Sequence, residues 1–391
     1  MKNRGFSILS AFALASAAAY GCGAEVQGSG STGAGGSPTS AGSGDLDGGF
    51  VSSSGVGGAG TSAQSGATSV TAVSSAGSTG VGGGAPGCTP TNGAVLAVTK
   101  LYYGDTNFDG SADKVNAWKQ FGFNIDGKAS TAASVDLCKP QSNASPSIVY
   151  PDGNAGIDNS FGKNILPIFL GLTSSFSDQA NQSIAAGHYT LMFDLEGLGM
   201  VANQAPLVGK VYSGTPLSAP PKLDGSDCWP VAPEGLTNPA DITSAKPVFP
   251  MSAVVANHWD SGPTGPTVQL QINAMGFDLH LDILGARIAM DLDPDHQGAK
   301  TGQIGGVIAT SQFVAEMKKL AGNFDSSLCS GATLDSIVAQ LKQASDILVN
   351  GTQDPSKVCD AISIGFGFEA QAVSLGGIGP ATPPLPDPCA P

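Results

Sequence analysis

Between Gly23 and Gly87 the chain has almost nothing to bury. The stretch is built mainly of Gly, Ser, Ala, Thr and Val, with one aromatic residue, Phe50, and no Lys or Arg. Ordering it would cost about 1–2 kcal/mol of backbone entropy per residue, and without apolar bulk nothing offsets that cost. Residues 22–87 are therefore expected to form a disordered Gly/Ser-rich tether. Its r.m.s. span would be roughly 45 Å, and its full extension roughly 200 Å. The folded part must come from 88–391, which is long enough to bury a sizeable core.

The tether follows an export signal. Met1-Lys2-Asn3-Arg4 is a short basic start, and Phe6 to Tyr20 is apolar but too short to span a bilayer as a helix. The run ends in Ala19-Tyr20-Gly21-Cys22. Small residues flanking a cysteine here resemble the lipobox of bacterial lipoproteins. That resemblance implies a signal peptide over 1–21, cleavage before Cys22 and lipidation of Cys22. Tyr20 is bulkier than the pattern has at its place, and an ordinary secretory signal is the alternative. Either reading exports the chain. The lipid reading places it in the cell envelope, as an outer-membrane lipoprotein anchored through Cys22.

Charge and cysteines narrow the classes further. The formal net charge is −14, and Arg287 is the only Arg after Arg4. Nucleic-acid binding works through clustered basic residues, and this chain has none, so nucleic acid is excluded as a partner. Removing Cys22 from the seven cysteines leaves Cys88, Cys138, Cys228, Cys329, Cys359 and Cys389. An even set in an exported chain reads as three disulfides. The spacing leaves the pairing open. Cys88 with Cys389 would close the ends of the domain, and Cys329 with Cys359 would bracket one helix.

From Ala94 the pattern becomes that of strands. Period-two or β-branched runs occur at 94–103, 188–196, 206–213, 246–255, 267–275, 277–283, 286–293, 303–309 and 362–372. In the last, Ile362, Ile364, Phe366, Phe368, Ala370 and Ala372 alternate with Ser, Gly and polar residues, as in a half-buried strand. Helices are fewer. One starts at Thr310 or Ser311 and ends at Gly322; another starts at Thr333 and ends at Gly351. Weaker helical patterns lie at 112–121, 160–171 and 177–186. Strands dominate, so the expected fold is mainly β (α+β): an antiparallel β-sandwich or barrel-like domain with inserted helices, stapled by disulfides over 88–391.

The sharpest local motif is Asp105-Thr-Asn107-Phe-Asp109-Gly110-Ser-Ala-Asp113. Oxygen side chains at loop positions 1, 3, 5 and 9, with Gly at 6, suit Ca²⁺. The metal candidates are Asp105, Asn107, Asp109 and Asp113. A strand precedes the loop and Asn116 stands where an EF-hand has Glu, so this is not an EF-hand. It looks more like the calcium loops of thrombospondin type 3 repeats or dockerins. The alternative is a solvated turn capping a helix through Trp118. A second polar set, Asp278, His280 and Asp282, shares a strand face. Arg287, Asp291 and Asp293 share another, and a turn at Leu284-Gly285 would bring both sets to one side of a hairpin. This reads more readily as the wet face of an amphipathic hairpin than as a metal site. Asp158 or Asn159 would cap the helix that follows.

No nucleophile motif stands out. Ser160-Phe-Gly-Lys163 fits SxxK and Lys300-Thr301-Gly302 fits KTG, but the SxN that accompanies them in penicillin-binding serine enzymes is missing between them. No catalytic residue is assigned.

Four stretches carry a wider likeness: Gly104–Thr131 (GDTNFDGSADKVNAWKQFGFNIDGKAST), Asp152–Pro167 (DGNAGIDNSFGKNILP), Gly302–Gly322 and Cys329–Ala370. In these the chain resembles a set of uncharacterised secreted lipoproteins from myxobacteria, with a Gly/Ser-rich tether before a Cys-containing β-rich domain. The resemblance implies an envelope lipoprotein and carries no catalytic residue with it. The expected function is a lipid-anchored binding or adhesion module, calcium-assisted, for a glycan or protein ligand. The competing expectations are an extracytoplasmic hydrolase and a structural envelope component. A concave site with two carboxylates about 5–9 Å apart would favour a glycosidase. A flat face exposing Tyr102, Trp118, Trp229 or Trp259 would favour binding.

Overall fold

The computed structural model describes residues 88–391 except 172–174, 264, 275–276, 325, 383–386 and 390–391. The expected signal peptide, Cys22 and the tether lie outside the described residues.

Ten strands form one mixed sheet: β1 (Gly93–Tyr102), β2 (Thr190–Glu196), β3 (Gln204–Gly214), β4 (Cys228–Val231), β5 (Val248–Val255), β6 (His258–Asp260), β7 (Val268–Ala274), β8 (Phe277–Leu292), β9 (Gly298–Ala309) and β10 (Ala361–Ile378). Eight of them close on themselves. Antiparallel ladders run β1–β2, β2–β3, β3–β5, β5–β6, β6–β8, β8–β9, β9–β10 and back from β10 to β1. A closed ring leaves no free edge. β4 lies beside this ring, parallel to the end of β10 and touching β3 at Gly214↔Val231. That parallel ladder makes the sheet mixed where an antiparallel one was expected. β4 and β6 are also absent from the sequence reading. Both are very short, and β4 carries Pro230, so neither shows a period.

The helices are α1 (Pro146–Val149), α2 (Leu166–Leu170), α3 (Phe176–Ala185), α4 (Thr310–Phe324) and α5 (Ala332–Gln343), with a π-helical turn at Phe161–Ile165 leading into α2. The 112–121 pattern is only a 3₁₀ turn at Ala117–Gln120. α5 ends well before Gly351. There the chain leaves the helix so that Ile347 bridges Ala361 and Asp346 accepts the N–H and hydroxyl of Ser363.

One apolar cluster runs through the barrel. Leu96, Phe193, Trp259, Ile288, Ile304 and Phe366 supply it from the strands, and Phe169, Phe176 and Phe313 from the helices. Fully burying each of these large side chains contributes about 1.5–3 kcal/mol. The start of β10 is buried on both faces, not half-buried: Ala361 to Phe368 are all buried. Its outer face is covered by Phe121, packed with Tyr102 and Phe108. Gly365 permits this approach, since a Cβ there would overlap the carbonyl oxygen of Phe121.

Six cysteines form three disulfides: Cys88–Cys228, Cys138–Cys359 and Cys329–Cys389. Both suggested pairings are replaced. Cys359 lies next to the bridge between Lys139 and Val358, which brings it to Cys138. Cys389 is tied down as expected, but to Cys329 beyond α4. Cys88 meets Cys228 at the start of β4.

Candidate functional site

The expected turn at Leu284-Gly285 does not exist. β8 runs straight through, and the two residues of β8 between Leu284 and Arg287 oppose the single residue of β9 between Val307 and Gly305. This is a β-bulge, with Gly285 at φ +57°. The bulge switches which residues face inward. Leu279, Leu281 and Ile283 are buried before it, and Ala286, Ile288, Met290 and Leu292 after it. The even-numbered His280 and Asp282 and the odd-numbered Arg287 and Asp291 therefore all escape the core, as the sequence pattern required, by a different device.

The second half of this face is tied up in ion pairs. Arg287 binds Asp260 and lies 4.6 Å over the ring of Phe123. Asp291 binds His258 at 2.7 Å and accepts the hydroxyl of Thr301; Lys300 pairs with Asp293 at 3.4 Å. The KTG sequence is thus another bulge, with Thr301 at φ +47°. His296 is buried and holds two loops together, Nδ1 against the carbonyl of Gly199 and Nε2 against Asn257.

The first half stays open. Cross-strand pairs Gln269↔Asp282 and Gln271↔His280 line up on the polar side of the β7–β8 hairpin. α4 supplies the facing wall, because its apolar stripe (Phe313, Met317, Leu320) goes to the core and leaves Gln312, Glu316 and Lys319 beside the hairpin. With Glu234, Gly235 and Thr382 at the rim they enclose a groove of about 520 Å³. Asp282 bridges the two walls: Oδ1 accepts from Gln269 Nε2 at 3.0 Å and Oδ2 from Gln312 Nε2 at 2.6 Å. Glu316 pairs with Lys319 at 2.7 Å. The groove is concave and holds three carboxylates: Asp282 is held by two amides and Glu316 by an ammonium, and Glu234 at the rim accepts the N–H of Thr382.

The four candidate aromatics form no exposed platform. Tyr102, Trp118, Trp229 and Trp259 are all buried. Trp259 sits inside the barrel, and Trp229 donates to the carbonyl of Thr215. Trp118 donates to the carbonyl of Val115, and Lys163 lies 5.6 Å over its ring.

The Asp105–Asp113 loop separates its members. Asp105 is buried and turned toward the N-terminus of α3, accepting from Ser175 Oγ, the N–H groups of Phe176 and Ser177, and the Ser177 hydroxyl. Asn107 bonds Ser111 and Gln120. Asp109 accepts from Ser111, which lowers its carboxyl below the usual range, and Asp113 accepts from the N–H groups of Val115 and Asn116. Among the described residues, no group of three or more His, Cys, Asp or Glu is placed to hold a metal ion.

A buried acidic network was not foreseen. Of the two candidate caps, Asp158 accepts from the N–H groups of Ile125 and Asp126. Asn159 takes the capping role, accepting from Gly162 N, and ties three carbonyls together through Nδ2. Burial first, then the charges of Asp126, Asp346 and Asp152, push the Asp158 carboxyl up to about 9. Burial raises Asp346 to about 7 and Asp152 to about 6, and lowers Lys163 to about 8. Lys163 donates to the carbonyl of Pro151 and Ser160 to that of Ala344, so the SxxK residues each serve the backbone.

No protein-family model, curated protein or solved structure matches the chain. No helix among the described residues is long and apolar enough to cross a membrane.

Proposed function

We propose that the chain is a lipid-anchored binding module of the cell envelope, tethered through Cys22 and engaging its ligand in the groove between β7–β8 and α4. The observation that carries this reading is the state of the groove's carboxylates. Asp282 accepts two glutamine amides and Glu316 pairs with an ammonium. Groups held this way fix a surface for recognition. A glycosidase instead needs one carboxylic acid that gives up its proton and a second carboxylate left to act on the sugar. The hydrolase is the second reading, favoured only by the presence of several carboxylates in one concave site.

The same reading assigns calcium to Asn107, Asp109 and Asp113, since Asp105 is spent on α3. A rise in Tm with Ca²⁺, reversed by EDTA, tests that assignment. The export, tether and lipid come from the sequence pattern at Met1–Cys22 and Gly23–Gly87 and from the resemblance to secreted lipoproteins.

Two measurements test the whole. Palmitate labelling should be lost in Cys22→Ser; equal labelling of both chains removes the lipid anchor. Sedimentation of the unlipidated Cys22→Ser chain with isolated envelope material should fall at least tenfold when Gln269 and Gln312 are both changed to Ala. Unchanged sedimentation removes the groove from the reading.

A further inference from the structure

We propose that the groove binds a neutral, hydroxyl-rich saccharide chain, read by the amides of Gln269 and Gln312 as held by Asp282. This rests on the binding reading above and names its ligand class.

Asp282 sets what the groove presents. An ionised carboxylate only accepts hydrogen bonds. Both glutamines must therefore turn their NH₂ groups toward it, as the 3.0 and 2.6 Å contacts record. Each amide is then left with its carbonyl and one remaining N–H, side by side and fixed in direction. A hydroxyl donates and accepts at a single atom. Neighbouring hydroxyls on a sugar ring can satisfy such a fork in both roles at once.

Charge and shape narrow the ligand. Amide hydrogen bonds leave the charge of Asp282 in place and Glu234 adds another at the rim, while Glu316 is offset by Lys319, so the groove is net negative and repels anionic ligands. The apolar lining residues Ala232, Leu279 and Leu320 are themselves buried. The polar groups also repeat. Gln271 lies two residues along β7 from Gln269, about 6.8 Å away. Glu316 lies one turn along α4 from Gln312, about 6 Å away. Repetition along both walls suits a chain better than a single ring.

The test is titration of the full chain with maltohexaose, cellohexaose, xylohexaose and chitohexaose, and with a neutral Ala-Ser peptide, followed by calorimetry and amide NMR. At least one saccharide should bind with a Kd below about 1 mM. Asp282→Asn, which can no longer accept from both amides, should weaken binding at least tenfold. Gln269→Ala with Gln312→Ala should remove it, and Lys342→Ala on the exposed side of α5 should leave it unchanged. Binding by none of the four saccharides, binding indifferent to the Asp282 and glutamine changes, or binding of the peptide instead would each overturn the proposal. If the saccharides fail while sedimentation with envelope material still depends on Gln269 and Gln312, the ligand class falls and the binding reading stands. If both fail, both fall.

Discussion

The native protein should hold at least one proton at neutral pH that its unfolded chain has released. Asp158 is only 2% exposed. Burial, then the charges of Asp126, Asp346 and Asp152, raise its carboxyl to about 9, against the pull of the Ile125 N–H. In the unfolded chain the same group titrates near 3.8. Stability linked to a raised carboxyl is complete below the unfolded value and is lost as pH climbs through the folded one. Between about pH 5 and pH 8 the folded state therefore binds the extra proton, and stability falls by about 1.4 kcal/mol per pH unit. The network titrates as a unit, so we count one proton and expect a loss of about 4 kcal/mol over that interval. That is a large share of a typical domain stability of about 5–15 kcal/mol. Urea unfolding with the disulfides intact, followed by the fluorescence of the buried tryptophans at constant m, reads it directly. Asp158→Asn keeps an acceptor for the Ile125 and Asp126 N–H groups and cannot ionise. It should reduce the slope, though buried Asp194, also raised to about 7, keeps part of it, and leave the variant more stable than wild type at pH 8 by more than at pH 5. Wild-type stability that is level or rising over this range would refute the reasoning. So would an Asp158→Asn cost that is the same at both ends.

Two structural predictions follow from single contacts. Asp105→Ala should cost about 2–3 kcal/mol in urea unfolding, because it removes the acceptor of the buried Phe176 and Ser177 N–H groups, which the Ser175 cap does not reach; a change under 0.5 kcal/mol would show that water replaces it. Gly365→Ala should lower the soluble yield or destabilise by at least about 1–3 kcal/mol, since the new Cβ meets the Phe121 backbone. A fully soluble variant of unchanged Tm would mean that the 117–122 segment shifts freely.

The barrel was legible because most of its strands face the core on one side only, which writes alternation into the sequence. β10 shows the limit of that signal. Glycines at 365 and 367 look like a solvated face, and they are the floor on which Phe121 rests. The groove was half legible. Each row, Gln269–Gln271, His280–Asp282 and Gln312–Glu316–Lys319, has the period of its own element, but no local signal says that the rows face one another. The acidic network was invisible for a related reason. Asp126, Asp152, Asp158 and Asp346 come from separate loops, and only the closed fold desolvates them together. The spacing at Asp105–Asp113 fixes where each side chain leaves the backbone, not where it points. Asp105 had a helix end within reach.

The bulge at Gly285 makes the groove a matter of counting. Deleting one residue there would restore strict alternation along β8. If the barrel half kept its register, His280 and Asp282 would be driven into the interior and Leu279, Leu281 and Ile283 turned out to water. If the hairpin kept its register instead, the barrel half would invert. Polar groove and apolar barrel share one strand only because it carries one residue more than its neighbour, so this position tolerates substitution far better than a change in length.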